Sequence, residues 1–75
     1  MSVPFYMLLR TKIGQSRNVV HATLKIEGVK VSHSVMGNYD VILYAEAKNL
    51  EDLRNIRVAV EQINGVTLTE TLIHA

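Results

Sequence analysis

Residues 26–29, Ile-Glu-Gly-Val, and residues 63–66, Ile-Asn-Gly-Val, repeat one short pattern in the two halves of the chain. In each copy, a stretch with helical spacing of its apolar residues ends on isoleucine and turns at glycine. An extended run that begins with valine then follows. The pattern therefore predicts an internal repeat, in which the order strand, helix, strand occurs twice.

Outward from these two copies, the apolar periodicity predicts four strands and two helices. The predicted strands span residues 3–11, 29–36, 40–47 and 66–74, and the predicted helices span residues 16–27 and 50–63. Gly37-Asn38 indicates a hairpin between the second and third strands, with its turn type left open. Gly14 or Ser16 is expected to cap the first helix, and Asn49 the second.

Two βαβ halves joined by a hairpin predict an α+β, ferredoxin-like βαββαβ fold, in which two helices cover one face of a four-stranded antiparallel sheet. The first and third strands are its central pair, and both are apolar on both faces, as strands covered on two sides are. The face without helices is expected to carry Tyr6, Leu8, Ile42 and Tyr44, or their alternating neighbours if the register differs by one residue. We therefore predict a dimeric α/β sandwich, in which a second copy covers this face.

The length of 75 residues predicts a single domain that spans residues 1–75. A domain of this size buries only about 60% of the surface that its unfolded chain exposes, and it usually needs disulfides, a metal or a partner subunit. The chain has no cysteine, and His21, His33 and His74 lack metal-ligand spacing. No metal or other cofactor is predicted, and a homo-oligomer is the expected source of additional stability.

Charge and motifs disfavour several classes of function. The net charge is +1, from eight basic and seven acidic residues that are scattered along the chain, so direct nucleic-acid binding is not expected. No apolar run of about 18 residues predicts a membrane span, and the N-terminus does not resemble a signal peptide. A cytoplasmic protein is expected. No nucleophile elbow or phosphate-binding glycine loop is present, so no catalytic residue is predicted.

Residues 26–29 are followed by Val31-Ser32-His33-Ser34-Val35-Met36-Gly37-Asn38-Tyr39-Asp40 and then by an apolar strand. This combination resembles the effector-binding half of Lrp/AsnC regulators, often called the RAM domain. Gly37-Asn38-Tyr39-Asp40 matches the recurrent Gly-x-Tyr-Asp stretch of the family, and the similarity covers essentially the whole chain.

The resemblance implies dimers that assemble into a ring, as an octamer or a decamer. Amino acids or related small metabolites are expected to bind in clefts between dimers. In full-length members a helix-turn-helix precedes this domain, and this chain is expected to lack it. The expected protein is thus a stand-alone domain that modulates transcription indirectly, with full-length Lrp/AsnC regulators as further partners.

The resemblance also places the ligand at the hairpin, where the residue chemistry is suitable. Hairpin N–H groups can hold a carboxylate, and Asp40 can accept a charge-assisted bond from an ammonium group, with the pole that each residue takes left open. The predicted ligand-binding residues are Ser34, Met36, Gly37, Asn38, Tyr39 and Asp40, together with Thr69 and Thr71 of a neighbouring subunit. The alternative is an ordinary hairpin turn flanked by ordinary strand faces.

Three other functions stay open at this point. The first is a small dimeric α/β-barrel enzyme of the monooxygenase or isomerase type, which a pocket with a buried ionisable group inside one subunit would favour. The second is an ACT-type amino-acid-binding domain, whose ligand would lie near residues 12–15. The third is an oligomerisation module without a ligand. A pocket at the seam between dimers, beside Asp40, would favour the sensor.

Overall fold

The computed structural model describes residues 2–75 and confirms the ferredoxin-like βαββαβ order. The strands are β1 (Val3–Thr11), β2 (Val29–Ser34), β3 (Val41–Ala47) and β4 (Val66–Ile73), and the helices are α1 (Ser16–Leu24) and α2 (Leu50–Glu61). The strands form one antiparallel sheet in the order β2-β3-β1-β4, so that β1 and β3 are the central pair. None of the helices in residues 2–75 is long and apolar enough to cross a membrane.

One face of the sheet packs against both helices and forms the core. Side chains alternate between the two faces of a strand, and the buried set of the central strands is Phe5, Met7, Leu9, Val41, Leu43, Ala45 and Ala47. The helices bury Val19, Thr23, Leu53, Ile56 and Val60 against them. Leu50, the first residue of α2, belongs to the same apolar stripe but is 63% exposed.

Both copies of the Ile-x-Gly-Val repeat form the same turn. In residues 26–29 and in residues 63–66, the valine N–H donates to the isoleucine carbonyl oxygen at 3.2 Å. Gly28 and Gly65 have φ angles of 102° and 103°, which only glycine adopts at little cost. The helices end before these turns, at Leu24 rather than residue 27 and at Glu61 rather than residue 63. The isoleucine N–H groups bond three residues back, which ends the α-helical pattern.

The second and third strands are also shorter than predicted, because a wider loop replaces the tight hairpin at Gly37-Asn38. β2 ends at Ser34 rather than residue 36, and β3 begins at residue 41 rather than residue 40. The Val35 N–H donates to the Asp40 carbonyl oxygen at 2.9 Å and closes the loop. Residues 36–38 are exposed and lie beyond the ladder.

The caps of the two helices differ. Gln15 is the N-cap of α1, in place of Gly14 or Ser16, and its side chain makes no capping bond. Asn49 caps α2 as predicted, since its side-chain oxygen accepts the Asp52 N–H at 2.8 Å.

Two buried hydroxyl groups join α1 to β2. Thr23 Oγ1 lies 2.8 Å from the Val20 carbonyl oxygen and 2.8 Å from Ser32 Oγ. A hydroxyl has one hydrogen, and a carbonyl can only accept it, so Ser32 is the donor in the second bond. A bulge in β2 between Val29 and Val31 turns Val31 away from this core, so that it lies opposite Tyr44.

The sheet face without helices, the open face, is apolar. The side chains of Tyr6 and Tyr44 meet at its centre with ring centroids 5.1 Å apart, and Leu8 and Ile42 are paired beside them. All four were predicted for this face. Further apolar side chains that retain about half of their exposure extend the face over both edge strands: Val31, Leu68 and Leu72.

Candidate functional site

Three connections meet at one end of the sheet: the β1–α1 loop, the β2–β3 hairpin and the α2–β4 turn. β1 runs antiparallel to both β3 and β4, so its last residues lie beside the first residues of those strands. The Asp40 N–H donates to the Leu9 carbonyl oxygen and the Lys12 N–H donates to the Gly65 carbonyl oxygen, both at 2.8 Å. The predicted hairpin therefore lies next to the β1–α1 loop.

A cleft of about 440 Å³ opens between these two loops. We call it the hairpin cleft, and its lining consists of residues 10–14, Ser16, Asp40 and Thr67. Among the side chains of this lining, hydroxyl and charged groups predominate, and Ile13 is the one large apolar group. The cleft is thus suited to a small polar ligand.

Asp40 is held firmly in the cleft. Its Oδ2 accepts the Thr11 N–H at 2.8 Å in a partly buried position, and its own N–H is bonded to β1. Within residues 2–75, no donor contacts the other carboxylate oxygen, Oδ1. An ordered carboxylate with a free oxygen can accept a charge-assisted hydrogen bond from an ammonium group.

Positive charges lie in the same lining. Arg10 and Lys12 are exposed at the cleft, and the one ion pair within 4.0 Å in the described part of the chain joins Arg57 to Glu61 at 3.8 Å. The two cations of the cleft are therefore not paired with a carboxylate of residues 2–75. The first turn of α1 contains no acidic residue, so the positive end of the helix dipole is not offset there.

The four predicted residues from β2 and its loop differ in position. Ser34 Oγ donates to Ser16 Oγ at 3.1 Å, so Ser34 adjoins the lining. Met36 is fully exposed, and Gly37 and Asn38 are exposed beside it. These three residues do not line the cleft within one chain.

Tyr39 connects the hairpin to the open face. Its hydroxyl donates to the Glu70 carboxylate of β4, and it thereby reaches across β1. This hydrogen bond raises the pKa of Tyr39 above 10.0, with partial desolvation and the charge of Glu70 acting in the same direction and Arg10 opposing them. Tyr39 thus belongs to the sheet surface rather than to the cleft lining.

The two predicted threonines of β4 lie away from the cleft. Thr69 and Thr71 are opposite Leu9 and Met7, on the helix side of the sheet, and the Thr69 hydroxyl donates to Glu61 at 3.2 Å. The β4 residue that lines the cleft is Thr67. Contact of Thr69 and Thr71 with a ligand held by a neighbouring subunit stays a prediction.

The site predicted for the sensor did not include Arg10, Thr11, Lys12 or Thr67. A usable signal was present, because the predicted strand order already places the end of β1 beside the hairpin. Residues 12–15, the site expected for an ACT-type domain, lie largely in this same cleft. The position of the cleft alone therefore does not separate these two hypotheses.

A second cleft of about 520 Å³ lies at the opposite end of the sheet, between the starts of β2 and α2. None of the predicted ligand-binding residues lines it. The buried polar side chains within residues 2–75 are Thr23 and Ser32, neither of which is ionisable, so the enzyme hypothesis gains no support. No group of three potential metal ligands occurs in the same part of the chain.

Comparisons with known proteins assign the fold and the family. FFRP-DM1, a protein of known crystal structure, is 30% identical, with a TM-score of 0.90 over 97% of this chain and 99% of that one. The HTH-type transcriptional regulator FL11 of Pyrococcus furiosus is 29% identical over 68 residues, which cover 91% of this chain and 45% of FL11. The chain thus spans less than half the length of this curated relative. No protein-family model matches the chain.

More distant structures share the fold alone. AsnC of E. coli is 16% identical with a TM-score of 0.88, over 96% of this chain and 50% of that one. The regulator NMB0573 of Neisseria meningitidis, crystallised in complex with L-Met, is 12% identical with a TM-score of 0.85, over 97% and 49%. The fold is thus one that transcriptional regulators contain. Together with the 30% identity to FFRP-DM1, these comparisons show that the chain belongs to the Lrp/AsnC family.

Proposed function

We propose that the chain is a single effector-sensing and oligomerisation domain of RAM type, which binds an amino acid or a related small metabolite in the hairpin cleft. The observation that carries this proposal is the presence of both charge signs in one lining, which contains Asp40, Arg10 and Lys12. An amino-acid zwitterion offers an ammonium group to the carboxylate and a carboxylate to a cation. The complex of NMB0573 with L-Met supports this class of ligand in a protein of the same fold.

Assembly is the second part of the proposal. A contiguous apolar surface on a small domain marks an interaction site, and we assign the open face to the dimer contact. Dimers then form a ring of four or five, in which the exposed residues 36–38 of one dimer and Thr69 and Thr71 of the next complete the cleft. The side chain of Met36 is fully exposed in the single chain, which supports this arrangement. Burial of an apolar side chain by a neighbouring subunit lowers the free energy of the assembly.

The proposed biological role is an indirect one. FL11 is a transcriptional regulator of the HTH type, and FFRP-DM1 has nearly the length of this chain. We place the domain in the cytoplasm, as a stand-alone sensor that acts on transcription without contacting DNA itself, in some assemblies together with full-length regulators. Catalysis forms no part of the proposal. The ACT-type alternative keeps its support from residues 12–14 of the cleft, and a plain dimer in solution would favour it over a ring.

The test is thermal unfolding of the protein with each of the twenty amino acids, with the mass in solution measured in parallel. A ligand that binds only the folded state raises the unfolding temperature. Asp40→Asn keeps an acceptor for the Thr11 N–H but removes the charge, so we expect binding to weaken about tenfold or more while the fold is retained. Glu51→Gln, an acid-to-amide change on the exposed surface of α2, is the matched control and should bind as the unchanged protein does.

Two results would contradict the proposal. Undiminished binding to Asp40→Asn would show that the hairpin cleft is not the site. If none of the twenty amino acids raises the unfolding temperature, the domain is not an amino-acid sensor.

A further inference from the structure

The hairpin cleft has an excess of positive charge. Arg10 and Lys12 contribute two cations and Asp40 contributes one anion. The only ion pair within 4.0 Å in residues 2–75 lies elsewhere, on α2, so neither cation of the cleft lies within this distance of a carboxylate. The chain as a whole has eight basic and seven acidic residues, which makes a local ratio of two to one a distinguishing property of the cleft.

The ligand that balances these charges has two carboxylates and one amine. A neutral amino acid pairs its ammonium group with Asp40 and its carboxylate with one cation, which leaves the other cation unpaired. An acidic side chain supplies the missing partner. A basic side chain would instead bring a second positive charge towards Arg10 and Lys12, and like charges within one small cleft repel one another.

The hydroxyl groups of the lining agree with this choice. Ser16 Oγ lies 3.1 Å from Ser34 Oγ, and because either hydroxyl can donate in this pair, the hydroxyl of Ser16 can turn its hydrogen towards an anionic oxygen. Thr67 adds a second hydroxyl. Hydrogen bonds to an ionised acceptor are stronger than those between neutral groups, so these donors favour a carboxylate over an apolar side chain.

We infer that the effector is an acidic amino acid: aspartate, glutamate or an analogue with two carboxylates and one amine. The inference rests on the proposed function and names the ligand class of the same cleft. Asp40 receives the amine, and Arg10 and Lys12 receive one carboxylate each.

The experiment compares ligands of nearly equal shape and different charge. The affinities of the full chain for L-Asp, L-Asn, L-Glu, L-Gln and L-Lys are measured by calorimetric titration, with succinate as the probe that has two carboxylates and no amine. We expect one of the acids to bind at least about tenfold more tightly than its amide and than succinate, since one charge-assisted bond has roughly that worth. Arg10→Gln and Lys12→Gln should each reduce the preference for the acid over its amide. Arg54→Gln, on the exposed face of α2, should leave it unchanged.

Each other outcome overturns a defined statement. If an amide or L-Lys binds as tightly as the acid, and Asp40→Asn weakens that binding, the acidic class is wrong and the proposed function stands. If succinate binds as tightly as the acid, the cleft recognises anions and not amino acids, and both the acidic ligand class and the proposed function are wrong. The ligand class and the proposed function are also both wrong if none of the twenty amino acids binds.

Discussion

Leu72 provides a quantitative test of the proposed dimer. It lies opposite Tyr6, on the open face, and is 45% exposed. Full burial of a leucine side chain stabilises by about 1.5–3 kcal/mol, so burial of the remaining exposed part by a partner corresponds to about 1 kcal/mol. A two-fold dimer contains this contact twice. Leu72→Ala should therefore weaken the dimer by about 2 kcal/mol, or roughly thirtyfold in Kd.

The assay is sedimentation equilibrium over a dilution series, with circular dichroism to confirm that each variant is folded. Leu24→Ala is the matched control, because Leu24 is 47% exposed but lies on α1, away from the open face. This control should have the dimer Kd of the unchanged protein. Equal Kd values for the two variants, or a larger effect of Leu24→Ala, would refute the assignment of the open face to the dimer contact.

Three further predictions concern the fold and its surface. Thr23→Val should lower the free energy of unfolding by about 1–3 kcal/mol, because the buried Ser32 hydroxyl loses its acceptor; urea denaturation should show that adding Ser32→Ala recovers part of this loss. Gly28→Ala should lower the thermal midpoint by several degrees, since its φ of +102° disfavours any side chain and the added Cβ would lie 2.8 Å from Cδ1 of Ile56 and 3.1 Å from the Glu46 carbonyl oxygen; an unchanged midpoint would contradict this. Glu70→Gln should lower the pKa of Tyr39, as measured by ultraviolet absorbance during alkaline titration. The folded-state pKa of Tyr39 is raised, so the stabilising effect of its bond to Glu70 is complete below pH of about 10 and is lost as the pH rises through the folded pKa.

The internal repeat was sufficient to predict the fold, because its determinants are local. Gly28 and Gly65 adopt the positive φ angles that their turns require, and Asn49 forms the predicted cap. The alternation of apolar residues in the central strands predicted two alternative sets for the open face, and the structure selects the set that contains Tyr6 and Tyr44. Each of these features depends on residues that are close in the chain, so a periodic pattern records it directly.

The boundaries of the elements were predicted less well. The helices end earlier than their apolar stripes suggest, because the isoleucine N–H groups bond three residues back rather than four. The bulge that separates Val29 from Val31 leaves no trace in the alternation of β2. Such choices depend on small free-energy differences between neighbouring hydrogen-bond patterns, which tertiary packing can reverse.

By itself, the sequence determined the order of strands and helices, the apolar character of the central strands on both faces and a hairpin next to Asp40, since each follows from the spacing of neighbouring residues. Only the tertiary structure decided that Asp40 shares a cleft with Arg10 and Lys12. The Thr11 N–H that holds the Asp40 carboxylate is 29 residues away along the chain, and antiparallel pairing of β1 with β3 brings the two together. The charge balance of the cleft, from which we infer an acidic effector, is therefore a property of strand pairing, because residues distant in sequence contribute its opposite charges.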